Sequence, residues 1–373
     1  MNEFQSLGGN MTNRWKTTTA VGLVSLTVAI PYGASAAAVW AERIKLKGDF
    51  RYRYEFIDED GKDERHRNRL RLRLGIHSKV NDTVDVGAVL ASGSENPIST
   101  NQTLDGQAST KDIRLDQAYF AWKPISGLMI KGGKLKNPFY VPVKSELLWD
   151  ADLRPEGLAL QYDNNQVFAN AGFFHVEERK EDDDSFLFGG QVGYKAKFNG
   201  TQVTAGVGYF DHTEIENRPA TDFSFLNGKS FGNSLDATTG NFINDYNELE
   251  LFGDVKFKIG GMPLALFADY VVNTAADDND TGYFAGFKVG KLNKPGSWDF
   301  RYNYHRVESD ALFGVFADSN FVGGGTDGKG HELNFGYQIA KGWQFALTYF
   351  LNDKGLDNGH DYERVILDLK FKF

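Results

Sequence analysis

Six arginines in two short stretches offer the most chemistry in this chain. Arg51 and Arg53 alternate with Phe50, Tyr52 and Tyr54, and Arg67, Arg69, Arg71 and Arg73 alternate with Asn68, Leu70, Leu72 and Leu74. Side chains two apart on an extended strand share one face. Guanidinium forks hold carboxylates and other planar oxyanions bidentately. A turn centred on Gly61 sets Arg51 opposite Arg71, Arg53 opposite Arg69, Glu55 opposite Arg67 and Asp49 opposite Arg73. Like charges directly across a ladder cost roughly 0.2–1 kcal/mol each, so two Arg–Arg pairs on one hairpin call for a functional reason. That reason is a basic wall that sorts charged solutes. Glu146, Asp150 and Asp152, in the segment Asn137–Glu156, are the candidate carboxylates to face it. Ser94–Asp112 is the rival facing segment, and Lys131, Lys134, Lys136 and Lys144 add positive charge near the first. Two plainer readings stand beside the wall: solvated arginines with no ordering role, or arginines turned outward to lipopolysaccharide phosphates.

Other chemistry finds no support in the residue pattern. The chain has no Cys, which excludes disulfide scaffolds, thiolate catalysis and Cys-based metal sites. Gly228-Lys229-Ser230-Phe231-Gly232 matches G-x-S-x-G, but a nucleophile elbow needs a strand before it and a helix after it. Gly323 to Gly328 matches G-x-G-x-x-G without a following helix to receive a pyrophosphate. The seven His residues are scattered, with none at a spacing such as H-E-x-x-H. No catalytic residue, cofactor or metal is expected. A net charge of −9 argues against a nucleic-acid partner, which needs a basic surface.

The elements that must position the arginines are strands. Gly is 41 of 373 residues and aromatics are 14%, with 9 Pro, a composition that suits many strands and tight turns. From Ile44, one parity carries Ile44, Leu46, Gly48, Phe50, Tyr52, Tyr54 and Phe56, and the other carries Lys45, Lys47, Asp49, Arg51, Arg53 and Glu55. The last segment sets Val365, Leu367, Leu369, Phe371 and Phe373 against Arg364, Asp368, Lys370 and Lys372. A soluble sandwich also alternates. Here the strands are too long for one: Ile44–Ile57 spans 14 residues, where globular strands run about 5–6. Connections alternate in length as well. The long segments Ser94–Asp112, Asn137–Glu156, Asp211–Tyr246 and Glu308–Gly330 are each followed by short turns such as Pro124–Gly127, Asp163–Gln166, Gly260–Met262 and Ala340–Gly342. Short turns on one rim, long loops on the other and an apolar outer band are the marks of an outer-membrane barrel. No apolar run beyond the N-terminus approaches the roughly 20 residues of a membrane helix. The expected fold is all-β, a transmembrane antiparallel barrel of about 16 strands with short periplasmic turns and long extracellular loops. The parity of Ile113–Trp122 and Leu128–Lys136 stays open.

The N-terminus reads as an export leader. Arg14 and Lys16 precede an apolar stretch from Thr17 to Ile30, and Ala34-Ser35-Ala36 offers an A-x-A processing site. Residues 1–36 are expected to be cleaved, leaving 37–373 as one barrel domain. Translation starts at Met1 or Met11. Trp122, Trp298 and Trp343 fall near the short-turn rim, where an aromatic girdle is expected. Phe371 and Phe373, ending the chain on an alternating strand, read as the signal for the barrel assembly machinery, against the alternative of an ordinary edge strand. Acidic clusters at Asp58–Glu64 and Glu178–Asp184 make an acidic mouth, which favours cations.

Three stretches carry a resemblance. Trp40 through Arg53, reading WAERIKLKGDFRYR, Asp112 through Phe120, reading DIRLDQAYF, and Gly132 through Phe139, reading GGKLKNPF, resemble the family known as putative porins. The resemblance spans the whole mature chain. It implies a channel in the outer membrane of a Gram-negative bacterium, set in lipid and lipopolysaccharide, assembled as a homotrimer and passing small hydrophilic solutes. It implies no particular solute. The expected function is passive diffusion through a water-filled porin. A substrate-specific anion or oxyanion channel and a non-conducting structural or adhesive barrel are the alternatives.

Overall fold

The computed structural model describes residues 43–373. The expected leader and its processing site lie outside them. Sixteen strands follow in chain order. They are β1 (Ile44–Glu59), β2 (Arg65–Lys79), β3 (Val84–Ser92), β4 (Ile113–Trp122), β5 (Leu128–Lys134) and β6 (Glu156–Asp163). Next come β7 (Val167–Glu177), β8 (Ser185–Phe198), β9 (Thr201–His212), β10 (Tyr246–Ile259) and β11 (Met262–Asn273). The last are β12 (Thr281–Gly290), β13 (Trp298–Val307), β14 (Gly328–Ala340), β15 (Trp343–Lys354) and β16 (His360–Lys372). A two-residue strand, Gln102–Thr103, lies inside the loop after β3 and pairs with β2. Each long strand pairs antiparallel with its sequence neighbour, and β16 pairs with β1 to close the barrel. The expected fold class is observed.

The turns on the short rim are set by local chemistry. Asn199-Gly200 joins β8 to β9 with positive φ at both residues, 47° and 80°. That is the two-residue hairpin geometry matched to strand twist, and Asn and Gly are the residues that tolerate it. Parity then sorts the faces. Leu74, Ile76, Leu158, Val192 and Leu251 point out and are about half exposed, whereas Arg51, Glu55, Asp254, Asp269 and Asp368 point in and are buried. The open parity of Ile113–Trp122 has a physical cause. A bulge sets Val89 against Gln117 and Leu90 against Leu115, so Asp116 and Gln117 in succession are both buried inside. One extra residue flips the alternation downstream.

The chain's last residue finishes the closure. Phe373 donates its N–H to the Gly48 carbonyl at 3.0 Å and accepts the Gly48 N–H at 2.8 Å. Its ring lies where a side chain on residue 48 would stand. The Phe371 ring stacks on Trp343 at 5.7 Å and meets Phe50 at 6.0 Å. The edge-strand alternative fails, since β16 has a partner on both sides.

Three long loops turn inward together. The segments 135–155, 213–245 and 308–327 contribute Leu147, Trp149, Phe223, Phe242, Phe313 and Phe316 to one apolar core inside the barrel. Polar clamps bind the loops to one another and to the wall. Asp150 donates its N–H to the Phe316 carbonyl at 2.7 Å, Asn233 donates to the Leu312 carbonyl at 2.8 Å, and Glu248 of β10 accepts the Phe313 N–H at 2.9 Å. The longest of the three loops, 213–245, sends its aromatic residues Phe223 and Phe242 into the interior.

Deleting Phe373 removes the last pair of backbone hydrogen bonds at the seam. Assembly yield, read as the fraction of heat-modifiable folded band, should fall; an unchanged yield would show that the terminal residue does not matter for assembly.

Candidate functional site

The first hairpin forms with the register expected. Arg51 faces Arg71, Arg53 faces Arg69, Glu55 faces Arg67 and Asp49 faces Arg73. The six arginines turn inward, which removes the reading that puts them on lipid. Closure adds a third strand beside them. Arg51 lies across from Lys370 and Arg53 across from Asp368.

The carboxylates interleave with the arginines and offset the like-charge cost. Asp368 takes Arg53 in a two-toothed grip, Nε at 2.7 Å and Nη2 at 2.9 Å. Glu55, with no exposed surface, is ringed by four arginines. Arg67 donates to it through Nε, Arg364 stands at 3.1 Å, Arg69 at 3.3 Å and Arg53 at 3.4 Å. Asp49 accepts from Arg71 and from Arg73, each at 2.8 Å. Such charge-assisted pairs are the strong ones when they are desolvated. Arg51 and Arg53 are buried, whereas Arg67, Arg69, Arg71 and Arg73 keep part of their surface in solvent. The hydrated side of the wall is therefore the β2 side.

Two loops reach the wall. From the loop before β6, Asp152 stands 3.4 Å from Arg71, 3.3 Å from Arg73 and 4.0 Å from Arg154. From the loop after β3, Asn101 accepts from Arg51 through its side chain and from Arg69 through its carbonyl at 3.2 Å, and Thr100 donates to Asp152 at 3.4 Å. Both candidate facing segments thus contribute.

Glu146 and Asp150 do not face the arginines, and the expected three-carboxylate face is corrected to one. Leu147, Leu148 and Trp149, which lie between them, are buried in the loop core. Asp150 accepts the N–H groups of Asp152 at 2.7 Å and Ser319 at 3.0 Å. Arg301, beside Glu146, grips the Lys144 carbonyl at 2.8 Å and Glu332 at 2.6 Å. The two sets of loop acids behave in opposite ways. Burial pushes Asp150 up to about 7, with Asp152 and Asp318 adding repulsion. Burial and Glu332 push Asp318 to about 6. Glu146 is raised well above the usual carboxylate range by burial, Asp318 and Asp150. Burial also works against charge on Asp152, but Arg71, Arg51, Arg73 and Arg154 outweigh it and hold the group near 2.

The partners that sequence reasoning missed are Asp368, Arg364, Lys370, Arg154 and Asn101. Those on β16 could have been found by extending the hairpin register across barrel closure. The acidic mouth is partly neutralised: Glu59 holds Lys62 at 2.8 Å and Lys354 at 3.1 Å, and Asp182 holds Arg218 at 2.6 Å. Among the described residues, no group of three or more His, Asp or Glu is placed to hold a metal ion.

The sequence matches the family described as "Putative porin" over residues 57–263 and 261–373. No curated protein matches it. Among solved structures, Pseudomonas putida OprB in its high-pH form aligns with a TM-score of 0.61 at 14% identity, covering 92% of this chain and 97% of that one. A loop-deletion mutant of Vibrio cholerae OmpT, an outer membrane protein, aligns at 0.53 and 13% identity, covering 89% and 100%. A mutant of the Rh. blastica porin aligns at 0.51 and 12% identity, covering 88% and 100%. At these identities the structural likeness speaks to the fold.

The loop acids carry a pH dependence with a definite sign. Asp318 rises from 3.8 to about 6, so the folded loop holds its proton more tightly than the unfolded chain does. The stability this contributes is complete below about pH 4 and is lost as pH climbs through about 6. Asp318→Asn keeps an acceptor for the Asn320 N–H and cannot ionise. Amide exchange over residues 314–320 should be slower in this variant than in the parent at pH 8, and equal in the two at pH 4. Faster exchange in the variant at pH 8 would contradict the assignment.

Proposed function

Since this chain belongs to the putative porin family, and so is a porin-like outer-membrane β-barrel channel, we propose that it passes small hydrophilic solutes and ions by passive diffusion along the arginine wall. No bond is made or broken. The observation that carries this reading is the sorting of faces: apolar side chains outside a closed barrel, and inside it a row of guanidiniums whose β2 members keep 11–21% of their side-chain surface exposed. A charged wall in a narrowed lumen selects by charge. Asp152 stands against Arg71 and Arg73, so solutes passing there meet both signs of charge at close quarters. Charge pairs of this kind orient dipolar solutes and disfavour apolar ones.

The apolar loop core supports a path on one side of the lumen. The inner faces of β9 and β11–β13 are covered, with Phe210, Val271, Phe284 and Val307 buried beneath the inward loops. Water and solute are left the side lined by β1–β3 and β16. In the cell the chain would be exported on its leader, delivered to the barrel assembly machinery through Phe371 and Phe373, and set in the outer membrane among lipid and lipopolysaccharide. Assembly as a homotrimer belongs to the same reading.

Conduction is tested in a planar bilayer, where open steps are expected; a refolded, inserted barrel that never conducts would favour a structural or adhesive role. The wall is tested by Arg71→Glu. The anion-to-cation permeability ratio should fall by at least about twofold while insertion is retained. An unchanged reversal potential would remove Arg71 from the conduction path.

A further inference from the structure

One row of the wall is short of an anion. Lys370 of β16, Arg51 of β1 and Arg71 of β2 are directly paired across three neighbouring strands, so three cations stand side by side with no carboxylate among them. The carboxylates sit in the rows above and below, and each is engaged. Asp368 grips Arg53 with both oxygens and also holds Lys370 at 3.4 Å. Asp49 is shared by Arg71 and Arg73, and so is Asp152. Asp368, Asp49 and Asp152 are thus shared among Lys370, Arg51, Arg53, Arg71 and Arg73, with Arg154 also near Asp152, and Glu55, which reaches Arg53, is itself shared with three further arginines.

The shortfall falls on Arg51. This side chain is 8% exposed. The acceptor it finds is the neutral side-chain oxygen of Asn101. Its nearest carboxylate oxygen, on Asp368, lies 3.9 Å from Nε, beyond hydrogen-bond reach. The Nε atoms of Arg51, Arg69 and Arg71 are buried without an acceptor. Buried guanidinium is ordinarily paired, because an unmatched charge or donor loses its hydration without return.

We propose that the row Lys370–Arg51–Arg71 binds a small oxyanion, which supplies the partner Arg51 lacks and makes the wall prefer phosphate- or carboxylate-bearing solutes. Guanidinium forks fit paired oxygens better than a spherical halide. The lysine ammonium adds a point charge from the third strand. The preference in transport rests on the diffusion reading above; the binding itself does not.

The test is calorimetric titration of inorganic phosphate, and separately of acetate, into the detergent-folded chain in low-chloride buffer. Saturable binding of either is expected; phosphate alone assigns a tetrahedral ligand and acetate alone a planar one. Arg51→Gln should weaken the binding by at least about tenfold. Lys370→Gln should also weaken it and serves if the first variant does not fold. Lys329→Gln, which removes an exposed charge near the loop rim, should leave it within about twofold. No saturable binding by the parent chain, or parental affinity in both row variants, overturns the proposal. Calorimetry reads binding whether or not the barrel conducts. Normal currents without oxyanion binding would therefore sink this inference alone, and intact binding without currents would sink only the channel reading.

Discussion

In hydrocarbon no water is present to satisfy a backbone N–H or C=O, so a sheet that crosses a membrane must close on itself. Most of what is specific here follows from that closure. Joining β16 to β1 sets Arg53 against Asp368 and Arg51 against Lys370. It also delivers Arg364 to Glu55. The arginine hairpin taken alone is an arrangement of like charges with two acids for six arginines. The last strand supplies a further carboxylate, and further cations as well. Closure therefore decides both how the wall is held and where it is left unbalanced.

The inward loops act on this wall from one side only. Their apolar core is built from aromatic and aliphatic residues of three separate segments. Hydrophobic burial of that kind needs no register, so it can seal irregular chain against a wall of strands. Its polar edge is where the loops carry information. Asp152 stays ionised because four arginines surround it, while Asp150, Asp318 and Glu146 resist ionisation because they are buried close together. One loop thus presents a permanent negative charge to the wall and a proton-dependent cluster to its neighbour. Three apolar residues, Leu147, Leu148 and Trp149, anchor the chain in the loop core between Glu146 and Asp150.

Much of this was legible before the structure. Period-two alternation at Ile44–Phe56 and the alternating lengths of the connections mark sixteen strands, because strand faces and rim turns are local properties. The register of the first hairpin was legible too, since one turn fixes it. What escaped was non-local. The bulge at Asp116–Gln117 hides the parity of β4, because an extra residue leaves no trace in composition. The inward packing of 213–245 and 308–327 escaped because polar loop residues outnumber the aromatic ones that anchor them. Glu146 and Asp150 share a segment and a charge with Asp152, but which way each acid faces is decided by non-local loop contacts, such as those of Asp150 to Phe316 and Ser319.

If the arginine face of the first hairpin lines the conducting path, the next residue along faces away from it. The absence of Cys from the chain makes a direct measurement possible. Arg73→Cys and Leu74→Cys place one thiol each on opposite faces of β2, Leu74 being about half exposed on the outside. Single-channel current is recorded while a charged, membrane-impermeant methanethiosulfonate reagent is added. A stepwise change of current is expected for Arg73→Cys and none for Leu74→Cys. A current that ignores modification at 73, or that responds at 74, would contradict this placement of the wall.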